Sequence, residues 1–260
     1  MAGFRIYEIA SRYTLVKNQY FGDINDYLKY SLLRILASGG KRKIAVCWML
    51  TSNDNRGDGD KTTYVHRPEL WRHFDPELFD SLEQCLTNPR NRDIRWAETK
   101  NLIPSATFYA KLLTDNRAER EAYFQEFFSL AKDSSCDLVF FDPDNGLEIK
   151  SKPLGKDGRK GSSKYLYEHE VRSTFEVGHS VFVYQHFPFI TRERFIETQV
   201  QKLSKWTGAR EIISFRTQHV VFLLVPQSRH LQYFREQASD VEEIWGGVTR
   251  KGMEVKTWQT

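Results

Sequence analysis

Cysteine is scarce in this chain, and its placing excludes two kinds of site. The 260 residues hold three cysteines, Cys47, Cys85 and Cys136. They are far apart and odd in number, so the sequence writes neither a zinc ribbon nor a disulfide framework. Cys47 and Cys136 fall in or beside apolar runs, which suits buried free thiols in a reducing compartment. No apolar run reaches the roughly 18 residues that a membrane helix needs. The N-terminal stretch carries Arg5, Glu8, Arg12 and Lys17 and no apolar h-region. The expectation is therefore a cytoplasmic chain with no signal peptide and no membrane partner. Internal repeats and long low-complexity segments are also missing. Gly57 and Gly59 lack the third glycine of a dinucleotide-binding fingerprint, and no helix signal follows them.

What is present is enough for one sizeable α/β domain. The hydrophobic fraction is 40% and the formal charge is +4, mildly basic and compatible with a polyanionic partner without requiring one. Residues 1–260 read as a single domain, with residues 1–20 as an N-terminal arm or short strand anchored by Phe4, Tyr7, Tyr13 and Tyr20. Asp23–Leu36 reads as a helix with Asp23 as N-cap, stopped by Gly39-Gly40. Lys43–Leu50 is the first core strand. Residues 69–87 read as one helix, and 94–97 as a short strand. Residues 107–113 read as helix or loop, and 117–132 as an amphipathic helix. A strand at 138–142, a helix opening at 163–171, a strand at 180–184 and a helix at 192–206 follow. Residues 209–216 and 219–225 read as two adjacent strands, and 240–245 as a closing segment. Strand–helix alternation predicts a mainly parallel sheet with helices on both faces. With a terminal antiparallel pair, it predicts a Rossmann-like sheet of the class I methyltransferase type.

The most informative stretch is Asp137–Ile149. Leu138-Val-Phe-Phe141 is a continuous apolar run, as expected of a strand covered on both faces. It ends in Asp142-Pro143-Asp144-Asn145-Gly146. Pro143 removes a ladder donor and Asn145-Gly146 supplies a turn. In open α/β sheets, ligands bind at the carboxyl ends of the strands. The strands ending at Leu50, Asp142 and Tyr184 would gather Asn53, Asp54, Asp58, Asp142, Asp144, Asn145, Gln185 and His186 on one edge.

Two motifs carry a resemblance. Gly22, Asp26, Leu28 and Lys29, within Tyr20–Leu33, match the N-terminal motif of the bacterial large-subunit ribosomal RNA adenine-N6 methyltransferases. Asp23 stands for that family's asparagine and Tyr30 for its histidine. Asp142-Pro143 matches the start of the family's Asp-Pro-Pro-Tyr, with Asp144-Asn145 in place of Pro-Tyr. Asp-Pro-Asp-Asn-Gly, with the downstream Ser-x-Lys-Tyr and Tyr-Gln-His, is also similar to a bacterial protein group without an assigned activity. The ribosomal RNA resemblance implies S-adenosylmethionine as cofactor. It places Lys29, with Gly22 and Asp26, on the cofactor side and Asp142 at the amino group of the target base. Asn53 and Asp54, at the end of the first strand, join the cofactor set.

The residues themselves leave three chemistries open. For methyl transfer, Asp142 and Asn145 would orient an amine, with Asp144 beside them and His186 as an acid–base or base-edge group. For magnesium-dependent phosphodiester cleavage, Asp142, Asp144 and Asp58 would be oxygen ligands, with Lys164 or His186 at the phosphate. The third is binding of a nucleotide or nucleic acid without catalysis. Lys150–Lys164 holds Lys150, Lys152, Lys156, Arg159, Lys160 and Lys164. It reads either as a solvated flexible loop or as a basic lid on nucleic-acid phosphates. Oligomeric state is not written in the chain.

Overall fold

The strongest apolar runs become strands covered from both sides. A computed structural model describes residues 18–52, 61–87, 92–246 and 252–260. Its strands are β1 (Ile44–Cys47), β2 (Ala106–Tyr109), β3 (Leu138–Phe141), β4 (Ser180–His186), β5 (Glu211–Arg216), β6 (Val220–Val225) and β7 (Glu254–Gln259). They form one mixed sheet in the order β2-β1-β3-β4-β6-β5-β7. The four strands from β2 to β4 are parallel neighbours. β6 is antiparallel to both β4 and β5, so β5 runs with the parallel set. β7 lines the outer edge, antiparallel to β5.

Alternation along the strands divides the core in two. Val46, Phe140, Phe182 and Phe222 face one layer, built from α1 (Ile24–Ala37), α3 (Pro76–Leu86) and α8 (Leu231–Trp245). Cys47, Val139, Phe141 and Val183 face the other, built from α5 (Arg117–Asp133), α6 (Glu168–Glu176) and α7 (Arg192–Thr207). Phe140, Phe141, Phe182 and Phe222 are fully buried, each contributing about 1.5–3 kcal/mol of transfer free energy. All three cysteines are buried free thiols. Among the described residues, no helix is long and apolar enough to cross a membrane.

Several local readings need correction. Residues 69–87 form two helices, α2 (Pro68–Trp71) and α3. Pro76 cannot sit in a helix interior, so the chain restarts there with Asp75 as N-cap, accepting from Leu78 N at 3.1 Å. Residues 94–97 lead into a helical turn, α4 (Trp96–Thr99), not a strand. The 107–113 stretch, read as helix or loop, begins within β2, a mostly half-covered edge strand. Residues 240–245 belong to α8, which the sequence reading had not extended back to Leu231. The expected terminal pair is present as β5 and β6, but β6 inserts between β4 and β5, and β7 was not foreseen. Of the N-terminal arm, Asn18–Tyr20 is a 3-10 turn; residues 1–17 lie outside the described residues.

Candidate active site

Helix α1 carries the charged centre of the site. Asp23 caps it, accepting from the amides of Asn25 at 2.8 Å and Asp26 at 3.0 Å. One turn later Lys29 points at the end of β3. Its Nζ lies 2.7 Å from Asp142 Oδ2 and 2.8 Å from Asp26 Oδ1. The other oxygen of Asp26 accepts from Gly22 N at 2.9 Å and from Tyr30 Oη at 3.0 Å. The rings of Trp48, Tyr184 and Tyr30 surround the ammonium, with centroids 5.2, 5.4 and 5.5 Å away. Lys29 is 5% exposed. Burial would push its pKa down, but Asp142 and Asp26 outweigh burial and hold it above the usual lysine value.

The carboxylates also shift upward, which for them favours the neutral form. Burial, reinforced by Asp26, pushes Asp23 up to about 6. Asp142 is also raised by burial, against the pull of Lys29. Tyr30 and Tyr184 are raised by burial and by the nearby aspartates, so both phenols stay protonated.

The loop after β3 is fastened on both sides. Asp144 Oδ2 accepts from Thr51 Oγ1 at 2.8 Å. Asn145 N donates to Lys164 O at 2.8 Å. Gln185, inside β4, holds the turn: Oε1 accepts from Leu147 N at 2.8 Å, and Nε2 donates to Asn145 O at 3.2 Å and His186 O at 2.9 Å. Gly146 is required here. Its φ is +84°, and a Cβ would lie 2.1 Å from Gln185 Oε1. His186 is exposed at the cleft mouth, its ring edge-on to Tyr184 at 4.9 Å. Desolvation lowers its pKa against the pull of Asp144, so the imidazole is neutral at pH 7.

These groups line a cleft of about 440 Å³ at the carboxyl ends of β1, β3 and β4. Of the expected residues, Lys29, Asp26, Asp142, Asp144, Asn145 and His186 all line it. Gly22 supplies an amide to Asp26 and a carbonyl to Tyr64, whose hydroxyl donates at 3.1 Å. Asn53, Asp54 and Asp58 lie outside the described residues. Sequence reasoning had not placed Trp48, Thr51, Asp23, Lys61 and Tyr184 in the cleft. The signal for Trp48 and Thr51 was their place just past β1. Met49 between them adopts φ +46°, a strained turn that redirects the chain at the cleft wall.

The residues fit a magnesium site poorly. Asp142 is already paired with an internal cation, and Asp144 is held by Thr51. Among the described residues, no group of three or more His, Cys, Asp or Glu side chains is arranged to hold a metal ion.

The basic segment, read as a solvated flexible loop or as a basic lid, is tethered through its backbone. The Asp115 carboxylate accepts from Gly161 N at 2.7 Å and Ser163 N at 2.8 Å. Arg120, buried and paired with Glu170 at 2.6 Å, donates to Ser162 O at 3.1 Å and Tyr165 O at 2.7 Å. Gly158 approaches Asp115 O so closely that a Cβ would lie 2.0 Å from it. Only Lys164 of the six cations lines the cleft.

Comparison with known proteins adds little to this geometry. No family model matches the chain, and no curated protein matches it. A similar solved structure is that of a Legionella pneumophila protein described under the family model DUF519. It is 10% identical, covers 92% of this chain and 97% of that chain, and superposes with a TM-score of 0.46. A likeness that weak supports no functional argument.

Proposed function

We propose that this chain is an S-adenosylmethionine-dependent methyltransferase acting on an amino group of a nucleobase in nucleic acid. The observation that carries the reading is the contact between Lys29 and Asp142. The two stretches that resemble adenine-N6 methyltransferases lie 113 residues apart and meet at 2.7 Å. The strand order supports it too: the antiparallel β6 inserted beside a parallel set is the arrangement expected of a class I methyltransferase sheet.

The cleft fits the cofactor in size and chemistry. About 440 Å³ lies within the range of small-molecule sites. Aromatic walls and an excess of carboxylate suit a ligand that carries a sulfonium and an ammonium. When bound, S-adenosylmethionine supplies an electrophilic methyl group. The chain's own residues then have separable tasks. Asp142, anchored through one oxygen by Lys29, keeps its other oxygen for a hydrogen of the target amine. Thr51 fixes Asp144 and Gln185 fixes the Asn145 turn, so the polar rim is preorganised. His186, neutral at pH 7, takes the proton that a newly methylated amine must lose.

Titration calorimetry with S-adenosylhomocysteine, followed by transfer of a labelled methyl group to mixed RNA and DNA, tests the reading. Asp142→Ala should cost roughly 10²–10⁴-fold in rate while the fold is kept, and Asp142→Asn should stay partly active. Failure of the wild type to bind S-adenosylhomocysteine, or full activity in both variants, would overturn it.

A further inference from the structure

A second cavity adjoins the cleft and has the opposite charge. It measures about 400 Å³ and shares Asn25 and Lys61 with the first. The cleft is lined by Asp23, Asp26, Asp142 and Asp144. The groove is lined by Lys61, Arg67 and His219, with no carboxylate among its described lining residues. None of these three has a carboxylate partner among the described residues, whereas Arg34, Arg72 and Arg95 nearby in the chain are all paired. Lys61 and Arg67 are exposed. Burial, with Lys61 and Arg192, lowers the pKa of His219, so it lines this rim as a neutral, hydrogen-bonding imidazole beside the two cations Lys61 and Arg67. Half-buried Trp71 is the aromatic ring between the cations; Tyr64, buried and stacked on Tyr27 at 5.3 Å, supports it edge to face at 6.3 Å.

We propose that this groove binds the phosphodiester backbone of a single strand of nucleic acid flanking the residue that enters the cleft, with Lys61 at the junction and Arg67 and His219 further out. The inference rests on the methyltransferase reading and adds the path of the substrate. The cleft's four aspartates outnumber its three lysines, Lys29, Lys61 and Lys164, so it favours an uncharged base edge over a phosphate. The groove gives the phosphates Lys61 and Arg67, two cations with no carboxylate partner among the described residues, the first of them shared with the cleft. Aromatic rings beside cations are the usual wall for single strands, since every base has a face to stack.

The test uses the full chain and a short, end-labelled, single-stranded RNA of mixed sequence, with the same sequence as DNA and as a duplex. Binding is followed by anisotropy between about 50 and 200 mM salt. Arg67→Ala and the double variant Lys61→Ala with Arg67→Ala are compared with the triple variant Lys156→Ala, Arg159→Ala, Lys160→Ala. Each lost phosphate contact should reduce the single-strand salt slope by about 0.7. The double variant should therefore fall by about twice that, and the triple variant by less. Preference for RNA over DNA would add a contact to the 2′-hydroxyl; equal binding leaves the backbone contact alone. The proposal is overturned if the wild type binds no single strand, if duplex binds better, or if the double variant keeps the wild-type slope. S-adenosylhomocysteine binding separates the two failures. A wild type that binds the strand through Lys61 and Arg67 but not S-adenosylhomocysteine keeps the groove and loses the methyl transfer. The reverse loses the groove alone.

Discussion

At the scale of single residues, the site is an ion cluster with more carboxylates than cations. Lys29 is shared between Asp26 and Asp142 at 2.8 and 2.7 Å. Lys29→Met would leave two buried carboxylates facing each other, and breaking such a pair from one side costs about 3–5 kcal/mol. Urea unfolding at neutral pH should show that loss. It should shrink on acidification, as protonation removes the repulsion; a loss independent of pH would mean that packing, not charge, is involved. Asp23 gives a second test. Its folded pKa, near 6, lies above the unfolded value near 4. Between those values the folded state holds a proton that the unfolded state has released. The penalty of burying the charge is thus fully present above about pH 6 and disappears as pH falls towards 4. Asp23→Asn keeps the cap and removes the charge. It should be more stable than wild type at pH 7 and lose that advantage as pH falls through about 6. A difference constant with pH would rule out Asp23 as the titrating group. Asp142 was legible from sequence because a strand-forming run ends on it. The aromatic ring of Trp48, Tyr30 and Tyr184 around Lys29 was not, since it is assembled from three distant segments and no local pattern marks it.

At the scale of elements, the loops after β3 and β4 act as one piece because Gln185 bonds both. Gln185→Leu keeps much of the volume but leaves the buried Leu147 N unpaired, at about 1–3 kcal/mol, and frees two part-buried carbonyls to seek water. Thermal unfolding should show the destabilisation, and S-adenosylhomocysteine affinity should fall with it, because the Asn145 turn forms the cleft wall. Unchanged affinity would mean that the turn holds its shape without Gln185. Elements were legible where one physical signal dominates. Continuous burial marked β3, and the Asp23 cap with the Leu28, Leu32, Leu36 spacing marked α1. β2 was obscured because an edge strand of three half-covered residues and one buried tyrosine has neither alternation nor a dry run. α8 was obscured because Phe234, Ala238, Val241 and Trp245 supply its buried face among many charges. β7 is mostly exposed and gains its stability from pairing with β5, a contact its own sequence does not announce.

At the scale of the whole molecule, parallel strands set the site on one edge, and the antiparallel strands lengthen the sheet away from it. The basic loop between β3 and α6 spans this arrangement. Asp115 and Arg120 hold it through backbone amides and carbonyls. The lysines and arginines of residues 150–160 lie on a loop fastened in its middle as well, where Tyr167 Oη donates to Lys152 O at 3.0 Å. The consequence is kinetic. Trypsin cuts after such residues, yet it needs an extended stretch of chain, so cleavage there waits for the tether to open. Arg120→Met, which also strands Glu170, should make Lys150–Lys164 the first site nicked under native conditions, well before global unfolding. In the wild type, the lifetime of that segment towards protease becomes a clock for how often the Asp115 and Arg120 bonds let go.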